Sequence, residues 1–557
     1  MFRSLRVCST LIVAIPALAN PKSKLAPDLP PANSGSVVNV IVQFNHPPTP
    51  QQHDKIAAKG GTLQSDLGIA NSAVYSVPVA QLNALSDDHD VAYISPDRPV
   101  GRMMDVTAPS VNAEIAWKYG WNGRGIGVAI IDSGIADSPD LHDPTTGKSR
   151  VVYNQAFGLT GTVDIYGHGS HVAGIIGGNG SSSSGKYTGI APGVNFINLR
   201  VLGNNGNGLD SSVIAAIRTA IQLKDTYNIR VINLSLGRNV YESYTQDPLC
   251  QAVEAAWNAG IVVVAAAGNE GRDNSAGTNG YATITAPGND PDVITVGAMK
   301  SMGTANRSDD LIASYSSKGP TLIDHVVKPD LVAPGNIVVS NIGKGGHTLS
   351  HNYPQNIVTG SYFRLSGTSM AAAVVSGAAA LLIQQTPSLT PDQVKGRLMK
   401  TASKSFPLSS SVVDPATGIT YTDQYDIFTV GAGYVDAWAA LSNSDLVPAN
   451  EAALSPLANY DSASGNIYVV DGTSAVWGSS AVWGSSAVWG SSAVWGSSVW
   501  VDGSSAVWGS SAVWGSSAVW GSNTTQGFSA VWGSSAVWGS GDPTTTESTP
   551  VTIYGEN

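Results

Sequence analysis

The sequence has 557 residues, enough for several domains, and 42% of them are apolar, so the chain can bury a large core. Lysine and arginine number 29 against 40 aspartate and glutamate, a net charge of −11, and this acidic balance argues against nucleic acid as a partner, because phosphates require clustered cations. The two cysteines exclude a scaffold built on disulfides. The 14 tryptophans outnumber the 8 phenylalanines, which indicates a locally unusual segment.

Residues 1–19 predict a signal peptide for export. Arg3 and Arg6 give a positive start, the stretch 7–18 is almost wholly apolar, and residues 17–19 (ALA) form a small-x-small cleavage site. This apolar run is shorter than the ~20 residues of a membrane-spanning helix, and no later run reaches that length. We therefore expect a secreted, extracellular protein without a transmembrane segment. After cleavage it keeps only Cys250, so it has no intramolecular disulfide.

A small α+β domain is predicted next, over residues 37–104, after a linker rich in proline, serine and lysine at 20–36. The apolar patterns predict strands at 37–44, 72–77 and 91–94. Helices are predicted at 51–59, where Gly60-Gly61 stops the pattern, and at 79–85.

Residues 105–445 predict a larger α/β domain. Short apolar runs at 128–131, 196–201, 231–234, 261–266 and 293–296 are typical of buried parallel strands, and helical patterns alternate with them. This alternation favours a parallel sheet covered by helices on both faces. Ligands of such sheets bind outside the carboxyl ends of the strands.

Three polar motifs lie at predicted strand ends or helix starts. Asp132-Ser-Gly follows a buried strand, although such a tripeptide is often a plain turn. His168 and His171 open a helix of small residues, and no third ligand nearby supports a zinc site. Ser369 precedes a helix that is apolar all round, where an ordinary N-cap is the simpler interpretation.

Together these motifs supply a hydroxyl nucleophile and the two residues needed to activate it. Ser369 would attack a carbonyl carbon, His168 would accept and return the proton, and Asp132 would orient the imidazole. Asn269 follows another buried strand, and its amide can donate to a developing oxyanion, as can the Ser369 N–H.

At these residues the chain resembles the subtilisin-like serine proteases (subtilases). The resemblance rests on four motifs in the order Asp, His, Asn, Ser, which are DSG at 132–134, GHGSHVAG at 167–174, AGN at 267–269 and GTSMA at 367–371. It implies a three-layer α/β fold with a parallel sheet, and endopeptidase activity on proteins or peptides. The roles assigned to these residues are those described for subtilisin.

The resemblance also implies two edge segments and the walls of a substrate pocket, between which an extended peptide would bind. The simpler interpretation of these segments is that they are sheet termini. The residues implied are Leu202, Gly203, Ser235, Leu236, Gly237, Ala265, Ala266, Ala267 and Gly268.

The chain departs from the family pattern at several positions. After Ser369 it reads Met-Ala-Ala-Ala-Val where the family usually has Met-Ala-x-Pro-His, and Arg238 stands beside the pocket wall where glycine is frequent. A structural calcium ion is usual in the family, and Asp140 matches one ligand position. The companion loop is replaced by residues 181–185, so the ligand set of any metal site stays unknown.

The 37–104 region resembles the family's inhibitory propeptide, a small ferredoxin-like domain of βαββαβ order. A bound propeptide would lay the residues near Gly101 and Arg102 in the cleft. We therefore expect it to act as an intramolecular inhibitor, and self-cleavage to occur between about Arg102 and Val106.

The tryptophan excess comes from a low-complexity repeat at 474–540, where AVWGSS recurs and holds ten of the 14 tryptophans. A linker at 446–473 precedes it and a tail at 541–557 follows it. A flexible stalk, a β-solenoid of about three turns and a binder of sugars or surfaces all fit this composition. Because no expected active-site residue lies in this repeat tail, residues 446–557, we expect it to be dispensable for peptide hydrolysis.

Two other functions fit parts of the sequence. One is a surface-binding or adhesion module with an inactive catalytic domain, against which the complete set of polar residues argues. The other is an esterase or lipase, but the sequence lacks a Gly-x-Ser-x-Gly elbow and has the opposite order of residues. We expect a monomeric, secreted serine endopeptidase made as a precursor.

Overall fold

The computed structural model describes residues 24–26, 29, 37–68, 71–96, 106–275, 277–414, 417–448, 451–461, 466–470 and 553–556. The predicted signal peptide and the repeat at 474–540 lie outside these residues, and so does the expected maturation site apart from Val106. The chain divides into two compact units, Met1–Arg102 and Met103–Asn557.

The first unit is a four-stranded antiparallel sheet in the order β2–β3–β1–β4 with two helices. Alternate residues of β1 are buried, among them Val40, Val42 and Phe44, as the apolar pattern predicts. The sequence did not predict β2, whose five residues are all exposed. The elements are β1 (Val37–Phe44), α1 (Pro50–Ala57), β2 (Thr62–Asp66), β3 (Ser72–Pro78), α2 (Leu82–Ser86) and β4 (Val91–Pro96).

The second unit carries the predicted α/β fold. Its elements, in chain order, are α3 (Thr107–Ser110), α4 (Ala113–Lys118), β5 (Gly127–Asp132), β6 (Val151–Ala156), α5 (His168–Gly177), β7 (Asn195–Arg200), α6 (Asp210–Tyr227), β8 (Ile229–Leu234), α7 (Pro248–Asn258), β9 (Val262–Ala266), β10 (Ile294–Lys300), β11 (Leu311–Ile312), β12 (Leu331–Pro334), β13 (Val338–Asn341), α8 (Thr348–Asn352), β14 (Ile357–Thr359), β15 (Tyr362–Leu365), α9 (Thr368–Gln385), α10 (Pro391–Thr401), β16 (Ser409–Val413), β17 (Thr420–Gln424), α11 (Ala437–Ser442), β18 (Leu457–Asp461) and β19 (Asn466–Val470).

The main sheet has the order β11–β10–β9–β8–β5–β7–β6, and β12 also pairs with β10. All its pairs are parallel except β10 with β11. Helices α5 and α9 pack on each other, α6 and α7 pack on each other, and both pairs contact the strands, which makes three layers. Successive strands leave β5 in both directions, so their carboxyl ends form a crevice beside it.

Helix α9 runs through the interior of this unit. Among the described residues it is the one helix long and apolar enough to cross a membrane, and 83% of its apolar window is buried inside the protein. Its side chains form the centre of the core together with those of β8, β9 and β10.

A buried cluster of charges ties β12 to α10. Asp330 accepts hydrogen bonds from Lys328 Nζ and Thr295 N–H, both over 2.7 Å. Lys395 Nζ lies 3.3 Å from the same carboxylate and donates to the Pro291 carbonyl over 2.7 Å. Both lysines and Asp330 are fully buried, and Asp330 is the carboxylate at ion-pair distance from both ammonium groups.

Candidate active site

The residues predicted to carry chemistry lie at the carboxyl ends of neighbouring strands. Asp132 is the last residue of β5, Ser235 follows β8, and Asn269 comes three residues after the end of β9. His168 begins α5 and Ser369 is the second residue of α9. The sheet order places β5, β8 and β9 side by side, so these residues share one edge.

Asp132 and His168 form a hydrogen-bonded pair. His168 Nδ1 lies 2.9 Å from Asp132 Oδ1 and 3.0 Å from Oδ2, and Ser133 N–H donates to Oδ1 over 2.7 Å. The Asp132 side chain is fully buried, and that of His168 is 17% exposed. Burial opposes protonation of His168, but the charge and hydrogen bond of Asp132 outweigh it and raise the pKa of the imidazole. The ring can therefore hold a proton at Nδ1 and expose Nε2.

Asp164 holds the start of α5 and has no role in the sequence prediction. Its Oδ1 accepts from Gly167 N–H over 2.7 Å and from Ser133 Oγ over 2.9 Å. Its Oδ2 accepts from the N–H and the Oγ of Ser170 over 2.9 and 2.8 Å. The carboxylate thus caps the helix and joins it to the residue after Asp132. The aspartate four residues before His168 was the signal for this cap.

His171 has a structural position. Its Nε2 lies 3.0 Å from the Phe363 carbonyl and 3.2 Å from that of Val338, so this nitrogen carries the proton. Burial, with repulsion from His168, lowers the pKa of His171 to about 3. The second histidine of the motif is therefore neutral.

Ser369 lies at the amino end of the buried helix α9. Its Oγ donates to the Ser235 carbonyl over 3.2 Å, and Ser235 Oγ donates to the Ser369 carbonyl over 2.8 Å. Within the described part of the chain, no hydrogen bond joins Ser369 Oγ to His168. Such contacts are often loose before substrate binds. The positive end of the helix dipole faces the serine.

Asn269 is fixed by the residue that precedes Ser369. Its Oδ1 accepts from Thr368 N–H over 2.9 Å and from Thr368 Oγ1 over 3.1 Å. Thr368 Oγ1 also lies 3.2 Å from the N–H and the carbonyl of Gly268. With Oδ1 held in this way, Nδ2 of Asn269 is left to donate to a ligand.

Two of the expected pocket segments lie on either side of Thr285. These are Ser235–Gly237 after β8 and Ala265–Gly268 around the end of β9, and Leu236 packs partly buried against the core. A methyl group added to Gly237 would lie 2.6 Å from Thr285 Oγ1, and one added to Gly268 would lie 2.8 Å from Thr285 Cγ2. Glycine is therefore needed at both positions, and Thr285 closes the gap between them.

Some of the backbone N–H and carbonyl groups of these segments are already used in hydrogen bonds within the protein. Ala267 donates its N–H to Val296 and accepts from Thr285 N–H, both over 3.0 Å, while Ala265 and Ala266 pair within the sheet. On the other side, Leu202 N–H donates to Asp132 over 3.1 Å and Gly203 N–H donates to Asn207 over 2.8 Å. A bound peptide would have to use the remaining carbonyl and N–H groups.

Arg238 is neutralised by neighbouring carboxylates. Its Nε donates to Asp210 over 2.7 Å, and its Nη2 donates to both oxygens of Asp247 over 2.8 and 2.9 Å. Burial opposes the charge of Arg238, but the two aspartates raise the pKa of the guanidinium. Arg238, beside the expected pocket wall, therefore forms its ion pairs with carboxylates of the same chain.

The surroundings of Asp140 do not fit a calcium ligand. Its Oδ1 accepts from Ser182 N–H over 2.7 Å and from Ser181 Oγ over 3.3 Å, and its Oδ2 accepts from Tyr362 OH. Calcium is bound by oxygen acceptors, whereas these neighbours are donors that use the carboxylate themselves. In this fold Asp140 binds the loop at 181–185 to β15.

Comparisons with known proteins agree with this geometry. The model of the subtilase family matches residues 123–432, more than half of the chain. The chain belongs to the subtilase family. Serine protease AprX of Bacillus subtilis (strain 168) is 37% identical over 334 residues, which cover 59% of this chain and 73% of the relative.

Two further relatives of this subtilase are named as proteases. Subtilisin E of the same bacterium is 33% identical over 363 residues, covering 63% of this chain and 81% of its own. The extracellular serine proteinase of Thermus sp. (strain Rt41A) is 34% identical over 334 residues, covering 58% of this chain and 68% of its own. The subtilase described here is a serine-type endopeptidase with a subtilisin-like α/β fold, and it acts on protein substrates.

Proposed function

We propose that the endopeptidase reaction uses Ser369 as nucleophile, His168 as base and acid, and Asp132 as the group that orients His168. The observation that carries the proposal is the pair of hydrogen bonds that His168 Nδ1–H donates to the Asp132 carboxylate, because they leave Nε2 as the nitrogen that faces a substrate. Asn269 Nδ2 and the Ser369 N–H would bind the oxyanion.

The steps follow from these assignments. Ser369 Oγ leaves the Ser235 carbonyl and bonds to the scissile carbon, while its proton passes to His168 Nε2. The tetrahedral oxyanion takes hydrogen bonds from Asn269, and as it collapses the C–N bond breaks and His168 Nε2 gives its proton to the leaving amine. Water then repeats the sequence on the acyl-enzyme and releases Ser369.

Ser369→Ala is the test. We expect hydrolysis of casein and labelling by a fluorophosphonate probe to disappear together, while the circular dichroism of the folded protein stays unchanged. Ser388→Ala, a change of the same type at an exposed residue shortly after α9, is the matched control and should keep its labelling. Hydrolysis that survives in Ser369→Ala would overturn the assignment.

We infer that residues 37–104 inhibit the enzyme until it cuts itself between about Arg102 and Val106. The support is the family of the chain together with the compact α+β unit that precedes the catalytic one. Ser369→Ala should accumulate as an uncleaved precursor, and added wild-type enzyme should cleave it. A variant that matures alone would contradict self-cleavage.

Secretion through residues 1–19 and a monomeric state are proposed on the sequence. One relative is named an extracellular proteinase, which supports export. Deleting residues 2–19 should retain the protein inside an expression host, and light scattering of the purified Ser369→Ala protein should give the mass of one chain. Export of the deleted form would contradict secretion through residues 1–19. A larger mass would contradict the monomeric state.

We propose that Glu254, Asp290 and Asp292, and not Asp140, bind a structural calcium ion. One oxygen of each of these carboxylates lies within 4.8 Å of the others. Asp290 is fully buried, and its Oδ2 receives no hydrogen bond from the described residues. Burial, with repulsion from Asp292 and Glu254, raises the pKa of Asp290 to about 8, which a bound cation would reverse.

Thermal unfolding of the Ser369→Ala protein tests this site. Calcium should raise the melting temperature and a chelator should lower it, and Asp290→Asn should abolish both responses. Asp140→Asn is the control that should keep the calcium response. A response that follows Asp140 instead would return the site to the position that the resemblance implied.

A further inference from the structure

The segment Ile553–Glu556 lies on the catalytic unit, far along the chain from β19. Asn336 holds the backbone of Glu556 on both sides: Glu556 N–H donates to Asn336 Oδ1 over 2.9 Å, and Asn336 Nδ2 donates to the Glu556 carbonyl over 2.8 Å. Asn356 Nδ2 donates to the Ile553 carbonyl. Side chains of the catalytic unit thus hold the backbone of this segment at both of its ends.

The Glu556 side chain enters a cationic pocket and is 1% exposed there. Arg272 Nη2 lies 2.8 Å from its Oε1, and Lys300 Nζ lies 3.2 Å from its Oε2. Ser314 N–H donates to both oxygens over 3.0 and 3.1 Å, and Ser314 Oγ also donates to Oε1. Within the described part of the chain, Glu556 is the one carboxylate at ion-pair distance from Lys300.

The position before Glu556 in the bound segment must be glycine. The φ of Gly555 is +76°, and a methyl group added there would lie 2.4 Å from Ile337 Cγ1 and 2.8 Å from Ser366 Oγ. Only glycine fits this left-handed conformation and this close approach. The pocket therefore recognises a glycine followed by a carboxylate.

The pocket is built from the two chain segments that carry the reacting groups. Arg272 stands three residues after Asn269, and its Nε donates to Ser314 Oγ over 2.7 Å, while Gly271 N–H donates to the adjacent Tyr315 carbonyl over 2.9 Å. Gly335, next to Asn336, accepts the Gly367 N–H over 2.8 Å. Hydrogen bonds therefore connect the Glu556 pocket to the loops that carry Asn269 and Ser369.

We propose that Arg272, Lys300, Ser314 and Asn336 form a receptor site for an Ile-Tyr-Gly-Glu peptide, filled in this chain by Ile553–Glu556, and that its occupation positions Asn269 and Ser369. The second half rests on the proposed function. Residues 553–556, which follow the tryptophan repeat in the chain, are consequently bound to the catalytic unit, and this proposal departs from the expectation that the whole repeat tail is dispensable.

Glu556→Gln in the full-length chain tests the receptor, with the exposed Glu242→Gln as matched control. In the inactive Ser369→Ala background, Glu556→Gln should lower the melting temperature by roughly 5 °C, because Lys300 loses its carboxylate partner and Arg272 keeps only its ion pair with Asp414. A synthetic peptide with the sequence of residues 551–557 should restore it in full-length Glu556→Ala, and the peptide with Gln at the position of Glu556 should not. Equal melting temperatures for Glu556→Gln and Glu242→Gln would overturn the receptor site.

Steady-state kinetics test whether the bound segment positions Asn269 and Ser369. In the active enzyme, Glu556→Gln should lower kcat about ten-fold on a peptide substrate and leave KM unchanged, because the binding walls are not part of the pocket. Equal losses in kcat for Glu242→Gln, or a change confined to KM, would contradict it. An inactive wild-type enzyme would overturn the proposed function, while the melting experiment would still decide the receptor site.

Discussion

Thr368 donates its backbone N–H to Asn269 Oδ1 over 2.9 Å, so the residue before the expected nucleophile fixes the orientation of the expected oxyanion donor. Because one amide oxygen is used in this way, Nδ2 points its hydrogens elsewhere. The two groups that would meet the same carbonyl are therefore set by one hydrogen bond, and a change at either residue should affect catalysis more than binding.

Asn269→Ala should lower kcat by about 10²–10³-fold with little change in KM, a range that was measured for the oxyanion asparagine of subtilisin. Steady-state kinetics on a peptide anilide give both constants. Asn274→Ala, in the exposed part of the same loop, is the control and should retain the wild-type kcat. A loss confined to KM would assign Asn269 to ground-state binding instead.

Asp164→Ala should lower the free energy of unfolding by about 3 kcal/mol, since four donors would lose their acceptor inside the protein. Denaturant titration in the Ser369→Ala background, which prevents autolysis, measures it. Asp137→Ala, whose side chain is 80% exposed, should change stability by less than about 0.5 kcal/mol. Similar losses for the two variants would mean that the cap contributes nothing of its own.

Asp330→Asn should destabilise the catalytic unit by about 3–5 kcal/mol, because the buried cations Lys328 and Lys395 would lose the carboxylate at ion-pair distance from both of them. The same titration applies, with the exposed Asp225→Asn as control. Adding Lys328→Met to Asp330→Asn should recover part of the loss, since one of the two uncompensated cations is removed. A double variant less stable than Asp330→Asn would contradict this account.

Deletion of residues 474–540, with 541–557 kept, should leave kcat and KM for a short peptide unchanged, because none of the proposed site residues lies there. The comparison is with the full-length enzyme in the same assay. If the deletion variant loses activity but keeps its melting temperature, the repeat takes part in catalysis and the expectation is wrong.

The fold could be predicted because its signals are local. Asp132 and Asn269 follow buried apolar strands of the main sheet, and this placement is what makes them, with His168 and Ser369, the proposed reacting residues. Strand β2 was missed because its sequence, TLQSD, is exposed along its whole length and carries no buried face to give a period of two.

Long-range polar contacts could not be predicted in the same way. Nothing near Glu556 in sequence indicates that it meets Arg272, which lies 284 positions earlier. The role of Asp164 depends equally on Ser133, a residue brought to it by the turn after β5. Such pairings are decided by the packing of the sheet and its helices, whereas composition and periodicity describe only single elements.

Proton transfer by His168 should give the enzyme an acidic limb in its pH profile. Only the neutral imidazole can accept the Ser369 proton, and the charge of Asp132 raises the pKa of His168 against the effect of burial. Activity should therefore be low in acid and rise as the pH passes the raised pKa, with a midpoint in kcat/KM above the ordinary histidine value of about 6.5. Asp132→Asn removes the cause of the shift, so the midpoint should move to lower pH while kcat falls by about 10⁴-fold. Asp137→Asn, a neutralisation on the surface, should leave the midpoint in place. An Asp132→Asn profile with an unmoved midpoint would show that another group controls the limb.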